Sequence, residues 1–108
     1  MSHLSGFVKA SCEVIGRKVK NHANENLGKV KEVVLDKVSG QVNYVVLDSE
    51  AFLGFGGKLF ALPWDCFHYD VDDDCFKVNI DKDRLGNMQG FDKDIWPAMP
   101  DRTLIKPR

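Results

Sequence analysis

The side chains best able to perform chemistry in this chain are its three cysteines and three histidines. A catalytic thiol needs a neighbouring base and an electropositive setting that favours the thiolate. Cys66 and His68 are two residues apart and share one face of a predicted strand, but an acidic stretch follows them at 70–74. We therefore expect both side chains to pack or to lie on the surface, without forming a catalytic pair.

The histidines and aspartates are also typical metal ligands, but their spacing does not fit a metal site. The histidines lie far apart and pair with no cysteine at the spacing of zinc ligands. A calcium loop that started at Asp70 would need glycine at its sixth position and glutamate at its twelfth. Those positions hold Cys75 and Asp81. The aspartates therefore predict a polar hairpin turn, and we expect neither a metal nor a cofactor.

Four lysines are a stronger candidate for binding. If the first two predicted strands pair, Lys18 lies near Lys29, and one outer face carries Lys18, Lys20, Lys29 and Lys31. Such a basic face suits RNA, an acidic protein or an anionic lipid surface. Aromatic side chains that would stack on bases are absent from these strands. An acidic protein, RNA and a plain solvated face all stay open at this point.

Large apolar side chains indicate a second candidate surface. The predicted strand 41–48 is apolar on both faces, so we expect the core to cover one face and the tail or a second subunit to cover the other. The glycine-rich loop 49–57 precedes a strand and not a helix, which favours an apolar interface patch over a phosphate-binding loop. The predicted partner or dimer surface consists of Tyr44, Phe52, Leu53, Phe55, Phe91, Trp96 and Met99.

Short strands joined by turns must position these residues. Apolar and polar residues alternate cleanly at 76–81, as in a half-buried strand. The alternation slips in the second strand, which predicts a bulge near 31–33. Hairpin-length spacings favour antiparallel pairing and a small closed or nearly closed barrel. The sequence predicts strands at 16–20, 27–36, 41–48, 58–62, 66–71 and 75–80, and helical turns at 10–16 and 82–85, the second capped by Asp81.

Length and charge limit the classes of function. The 108 residues suffice for one domain, which we divide into an N-terminal arm at 1–10, a barrel at 11–86 and a docking tail at 87–108. The net charge of −1 is the sum of +3 over residues 1–40 and −4 over residues 41–108, so the surface is dipolar. No apolar run approaches the ~20 residues of a membrane span. No secretory signal is visible either, so we expect a cytoplasmic protein with free thiols.

Five groups of short segments, taken in order, carry a family resemblance. They are SCEVIG at 11–16, LGKV at 27–30 with VLD at 34–36, VNYVVL at 42–47, FLGFGGK at 52–58 with ALPW at 61–64, and GFDKDIWP at 90–97. Together they resemble the PRC-barrel family in its short stand-alone bacterial form. The resemblance covers nearly the whole chain, and its order and spacing are more specific than any single segment.

The resemblance implies a fold and, less directly, a function. The implied fold is all-β: a small six-stranded antiparallel PRC-type β-barrel with one or two short helical turns and an extended C-terminal tail. Related domains occur in the photosynthetic reaction centre H subunit and in a ribosome maturation factor, where they serve as assembly or adaptor modules without a shared catalytic residue set. We therefore expect a non-catalytic adaptor, not an enzyme, that pairs with itself as a homodimer and with an unidentified protein. The alternative is an RNA-processing or ribosome-associated accessory protein that uses the basic face.

Overall fold

A computed structural model describes residues 8–49 and 57–106, and short strands dominate it. Within these ranges all six predicted strands and both predicted helical turns are present, most of them slightly shorter than predicted. The elements are α1 (Ala10–Glu13), β1 (Lys18–Lys20), β2 (Asn26–Leu35), β3 (Val42–Asp48), β4 (Leu59–Leu62), a 3₁₀ turn (Trp64–Cys66), β5 (His68–Asp70), β6 (Cys75–Lys77) and α2 (Lys82–Asn87).

The six strands form one mixed sheet in the order β4-β3-β2-β1-β6-β5. β1, β2 and β3 each pair antiparallel with the strand that follows, and β5 pairs with β6 in the same way. β1 and β6 are parallel, however, with Val19 opposite Phe76. The prediction of a wholly antiparallel arrangement is therefore wrong at this pairing.

The parallel pairing follows from the way the chain passes between β4 and β5. Three hairpin reversals lead from β1 to β4 and a fourth leads from β5 to β6, whereas the 3₁₀ turn between β4 and β5 is not a hairpin. After an even number of reversals, β6 runs in the same direction as β1. Among the described residues β4 and β5 end the sheet and do not pair with each other, so hydrogen bonds between strands do not close a barrel.

The details of strand register agree with the sequence pattern. The pairing of β2 with β3 shifts between Val30 and Glu32, which confirms the predicted bulge and leaves Lys31 as the extra residue. On the other side of β2, Lys18 lies opposite Lys29, as predicted. This register places the side chains of both lysines on the outer face of the sheet.

Both faces of β3 are buried, as predicted, but in two separate clusters. The outer cluster is small and consists of Tyr44, Val46 and Ala61, with Phe91 packed against it. The inner face belongs to the main core, which also receives one leucine from α2 and one from the C-terminal segment. The main core contains Val19, Val30, Val45, Leu47, Phe60, Leu62, Phe76, Val78, Leu85 and Leu104.

The segment 88–106, called the tail below, crosses from the edge of β4 to the end of β6. The backbone N–H groups of Phe91 and Asp101 each donate to a carbonyl of β4 at 2.8 Å. At the other end, the N–H of Lys106 donates to the carbonyl of Asn79 at 2.8 Å. The tail therefore connects the β4 edge of the sheet to the end of β6. In a closed barrel, direct pairing of β4 with β5 would make this connection.

The start of α2 differs from its prediction. The Asp81 carboxylate makes no capping hydrogen bond to the helix, and the helix continues through Gly86 to Asn87. Asp81 instead accepts a hydrogen bond from the ammonium group of Lys106 at 3.2 Å. A charged donor in the tail thus contacts the carboxylate that the sequence assigned to the helix terminus.

The backbones of β2 and β3 approach each other closely at Gly28, and a substitution there tests this contact. Its φ is +133°, and a Cβ at this position would overlap the carbonyl oxygen of Asp48. Gly40, in the turn between the same strands, has a φ of +78° but open space around it. We expect Gly28→Ala to lower the free energy of unfolding by about 3 kcal/mol or more and Gly40→Ala by about 1 kcal/mol, since only the first adds a clash to backbone strain. Urea unfolding of both variants measures the difference, and equal losses would contradict the close approach.

Candidate interaction face

Cys66 and His68 line the same cleft, but the thiol is not poised as a nucleophile. Burial raises the pKa of the Cys66 thiol to about 12, and the neighbouring carboxylate of Asp65 adds to the rise. The thiol also donates a hydrogen bond to the carbonyl of Pro63 at 3.0 Å. Because thiol chemistry needs the thiolate, Cys66 stays unreactive near neutral pH.

The aspartate-rich turn between β5 and β6 is held by cations of the chain itself. Asp74 pairs with Arg17 at 2.6 Å, and Asp73 pairs with Lys20 at 3.0 Å. The hydrogen bond from Lys20 holds the pKa of Asp73 below its ordinary value. Within 8–49 and 57–106, no group of three or more His, Cys, Asp and Glu side chains is arranged to hold a metal ion. The ion pairs of the turn thus connect the start of β6 to β1. One of the four lysines predicted for the basic face, Lys20, is therefore paired within the chain.

The other three lysines form an exposed basic strip, defined here as Lys18, Lys29 and Lys31. Lys18 and Lys29 are direct cross-strand partners, and like charges in that position destabilise a sheet. Lys31 stands at the bulge two residues further along β2. No ion pair among the described residues includes any of the three. On its other side, Lys29 lies opposite Asp48 of β3, so one carboxylate adjoins the three exposed ammonium groups of the strip.

The tail covers the apolar half of the same outer face. The hydroxyl of Tyr44 donates to the carbonyl of Pro97 at 2.9 Å, and the side-chain amide of Asn43 donates to the carbonyl of Ala98 at 2.9 Å. Phe91, itself a residue of the tail, packs on the outer cluster. Tyr44 and Phe91, predicted as partner contacts, are therefore occupied by this chain's own packing. The other predicted contacts Phe52, Leu53 and Phe55 lie outside the described residues.

Three tail side chains form an exposed apolar ridge, defined here as Ile95, Trp96 and Met99. Their exposed fractions are 72%, 39% and 74%. Trp96 is held in place because its indole N–H donates to the carbonyl of Lys93 at 2.7 Å and its ring packs edge-on against Phe91. Trp96 and Met99 were predicted from the sequence, whereas Ile95 was missed. An isoleucine beside a tryptophan in a polar stretch indicates an exposed apolar contact surface.

A cleft of about 300 Å³ adjoins both the strip and the tail. Lys31 of the strip and Lys93 and Phe91 of the tail line it, together with Lys58 and one acid, Asp48. The ammonium group of Lys58 makes its hydrogen bonds within the fold, because it donates to the carbonyls of Gly86 at 3.0 Å and Met88 at 2.7 Å. The other two lysines border the cleft against the single carboxylate of Asp48, so the lining carries a net positive charge. We call the strip, this cleft and the ridge together the interaction face.

Comparison with known proteins places these elements in a family. Residues 8–85 match the family described as the PRC-barrel domain. The chain belongs to this family. No curated protein matches the chain, and none of the helices in its described parts is long and apolar enough to cross a membrane. In this PRC-barrel chain the match contains all six strands and ends before the tail. The basic strip thus belongs to the family domain, whereas the ridge lies on the segment that follows it.

Reversing the charge of one strip lysine tests whether the strip costs stability. Lys18→Glu replaces a like-charge pair with an attractive pair, so we expect the free energy of unfolding to rise by about 0.2–1 kcal/mol at low salt, and less at high salt. Lys37→Glu, in the exposed turn between β2 and β3, is the matched control. Chemical unfolding at two salt concentrations measures both variants, and a loss of stability in Lys18→Glu alone would contradict the described pairing.

The three thiols should differ sharply in reactivity. Cys12 is exposed, Cys66 half-buried and Cys75 buried, and burial raises the pKa of both inner thiols. We expect a disulfide reagent to modify Cys12 rapidly in the native protein and the other two only after unfolding. Colorimetric thiol counting measures this, with Cys12→Ser as the control. A rapid native reaction that persists in Cys12→Ser would show that an inner thiol is activated.

Proposed function

We propose that this PRC-barrel chain is a non-catalytic adaptor that binds an acidic segment of another protein through its interaction face. The observation that carries this proposal is the direct opposition of Lys18 and Lys29, together with an exposed apolar ridge on the tail that covers the same outer face. The opposition costs stability in the isolated chain. A carboxylate supplied by a partner would remove that cost, so the same feature favours binding.

The ridge supplies the second half of such an interface. Protein interfaces commonly combine a few aromatic or aliphatic anchors with charges around them. Trp96 is already held by a hydrogen bond and a ring contact, so little conformational entropy is lost when a partner covers it. Charge on the strip would attract and orient the partner, and the ridge would bind it.

A non-catalytic role agrees with the chemistry of the only cysteine–histidine pair that the sequence singled out. The Cys66 thiol is protonated at neutral pH because burial raises its pKa to about 12. A reducing, cytoplasmic location suits the three free cysteines. We therefore propose a cytoplasmic binding protein and not an enzyme.

RNA is the rival partner, since a basic strip also suits phosphates. Single-stranded RNA is usually held by aromatic rings on the same surface as the cations. β1 and β2 carry no aromatic residue, and Phe91 is occupied by packing within the fold, which leaves Trp96 as the single exposed ring on the described interaction face. These features favour an acidic protein over RNA.

Self-association was expected because β3 is apolar on both faces. The tail of the same chain covers the outer face, so β3 gives no further argument for a second copy. A two-fold contact centred on the basic strip would bring two such strips together, and they would repel each other. We therefore propose a different protein as the principal partner, with the homodimer as an alternative that a mass measurement decides.

Quantitative affinity capture with matched variants tests the proposed adaptor. The wild-type protein and Lys37→Glu should retain the same acidic proteins, whereas Lys18→Glu/Lys29→Glu should lose most of them, and raised salt should weaken capture. Replacing Ile95 and Met99 with serine should weaken capture without abolishing the salt dependence.

The same experiment separates the alternatives. Capture that disappears after ribonuclease treatment would support the RNA rival. Retention that is equal in all variants would exclude the interaction face as the binding site. Sedimentation velocity on the wild-type protein gives its mass, and a stable dimer that survives all of these substitutions would show that self-association uses another surface.

A further inference from the structure

A polar cleft lies where the tail meets the end of the sheet. Its volume is about 550 Å³, within the usual range for small-molecule sites. His22 enters it from the connection between β1 and β2, His68 from β5, and Arg102 and Lys106 from the tail. The cleft shares no residue with the interaction face.

The tail holds its two cations on a fixed backbone. The N–H of Asp101 is bonded to β4, and the N–H of Lys106 is bonded just beyond β6. Between these points Leu104 is 1% exposed and packs in the main core. Arg102 and Lys106 therefore project from a segment anchored at both ends and in the middle. A ligand that binds there would lose little free energy to ordering the backbone.

The polar groups of this cleft retain capacity for further hydrogen bonds. Arg102 pairs with Asp65 at 3.2 Å, but their side chains are 66% and 69% exposed, and such exposed pairs contribute little. The imidazoles of His22 and His68 make no hydrogen bond to any other side chain or carbonyl that the structure describes. A guanidinium and an imidazole N–H both donate readily to an oxyanion. An incoming anion can therefore compete with Asp65 for Arg102.

The cleft also has an apolar part. Cys66 and Ile105 line it and pack against the main core from its outer side. The protonated Cys66 thiol, bonded to a backbone carbonyl, behaves here as a small apolar group. A ligand that matches the cleft thus needs both a charged group and a carbon skeleton.

We propose that this cleft binds a small organic anion. The phosphate or carboxylate group of the ligand accepts hydrogen bonds from Arg102 and the imidazoles, while its carbon skeleton lies over Ile105 and Cys66. This assigns a ligand site to the chain in addition to its protein-binding face. No bond is made or broken in this binding step.

Titration of the isotope-labelled full chain, followed by amide NMR shifts at constant ionic strength, tests the proposal. The probes are phenyl phosphate and benzoate, which share a ring and differ in the anion, and inorganic phosphate, which lacks the ring. We expect saturable shifts at His22, His68 and Arg102, with phenyl phosphate or benzoate binding more tightly than inorganic phosphate. The comparison of the two ring compounds tells a phosphate site from a carboxylate site.

Variants decide whether the shifts report this cleft. Arg102→Gln should weaken binding about tenfold, the effect of losing one charge-assisted hydrogen bond, and His68→Gln should weaken it to a lesser degree. Lys37→Gln removes the same charge from a distant exposed turn and should leave affinity unchanged. Equal weakening by Arg102→Gln and Lys37→Gln would overturn the proposal, as would shifts that fail to saturate or that spread over the basic strip.

Discussion

The need to cover both faces of β3 is the constraint on which the rest of the structure depends. Val45 and Leu47 face the main core, while Tyr44 and Val46 face outward, and none of the four is more than 1% exposed. Apolar side chains on a central strand are stable only when something shields them from water on each side. The tail provides the outer shield. Because it is hydrogen bonded to β4, it also occupies a sheet edge that would otherwise be free to pair with another chain.

This arrangement divides the outer face into a covered apolar half and an exposed basic half. Some cations stabilise the fold itself, since Lys58 binds carbonyls at the end of α2 and Lys20 pairs with the turn between β5 and β6. The three lysines of the strip have no such role in the described parts of the chain. The cations that pair within the fold are therefore separate from the exposed cations of the strip. A substitution that affects one set need not affect the other.

The sequence predicted most elements because alternation with a period of two reports directly on which face of a strand is buried. A slip in that alternation predicted the bulge near 31–33, and the assumed pairing of the first two strands predicted that Lys18 lies near Lys29. It did not predict the parallel pairing, which depends on where the 3₁₀ turn carries the chain and not on any local pattern. The polar cleft at the end of the sheet was missed because His22 and Arg102 are far apart in sequence and line one cleft only through the path of the tail. The sequence did not decide whether the tail or a second subunit covers the outer face of β3, because either would bury the same residues.

The parallel contact between β1 and β6 has a consequence for the order of folding. β2, β3 and β4 are joined by local connections, whereas Val19 and Phe76 come together only after a long stretch of chain has been ordered. Closing that distance costs more entropy than forming a hairpin. We therefore expect the meander of β2 to β4 to form first and the β1–β6 seam to form late. The ion pairs of Arg17 and Lys20 lie across this seam, so salt should affect the last step of assembly more than the first.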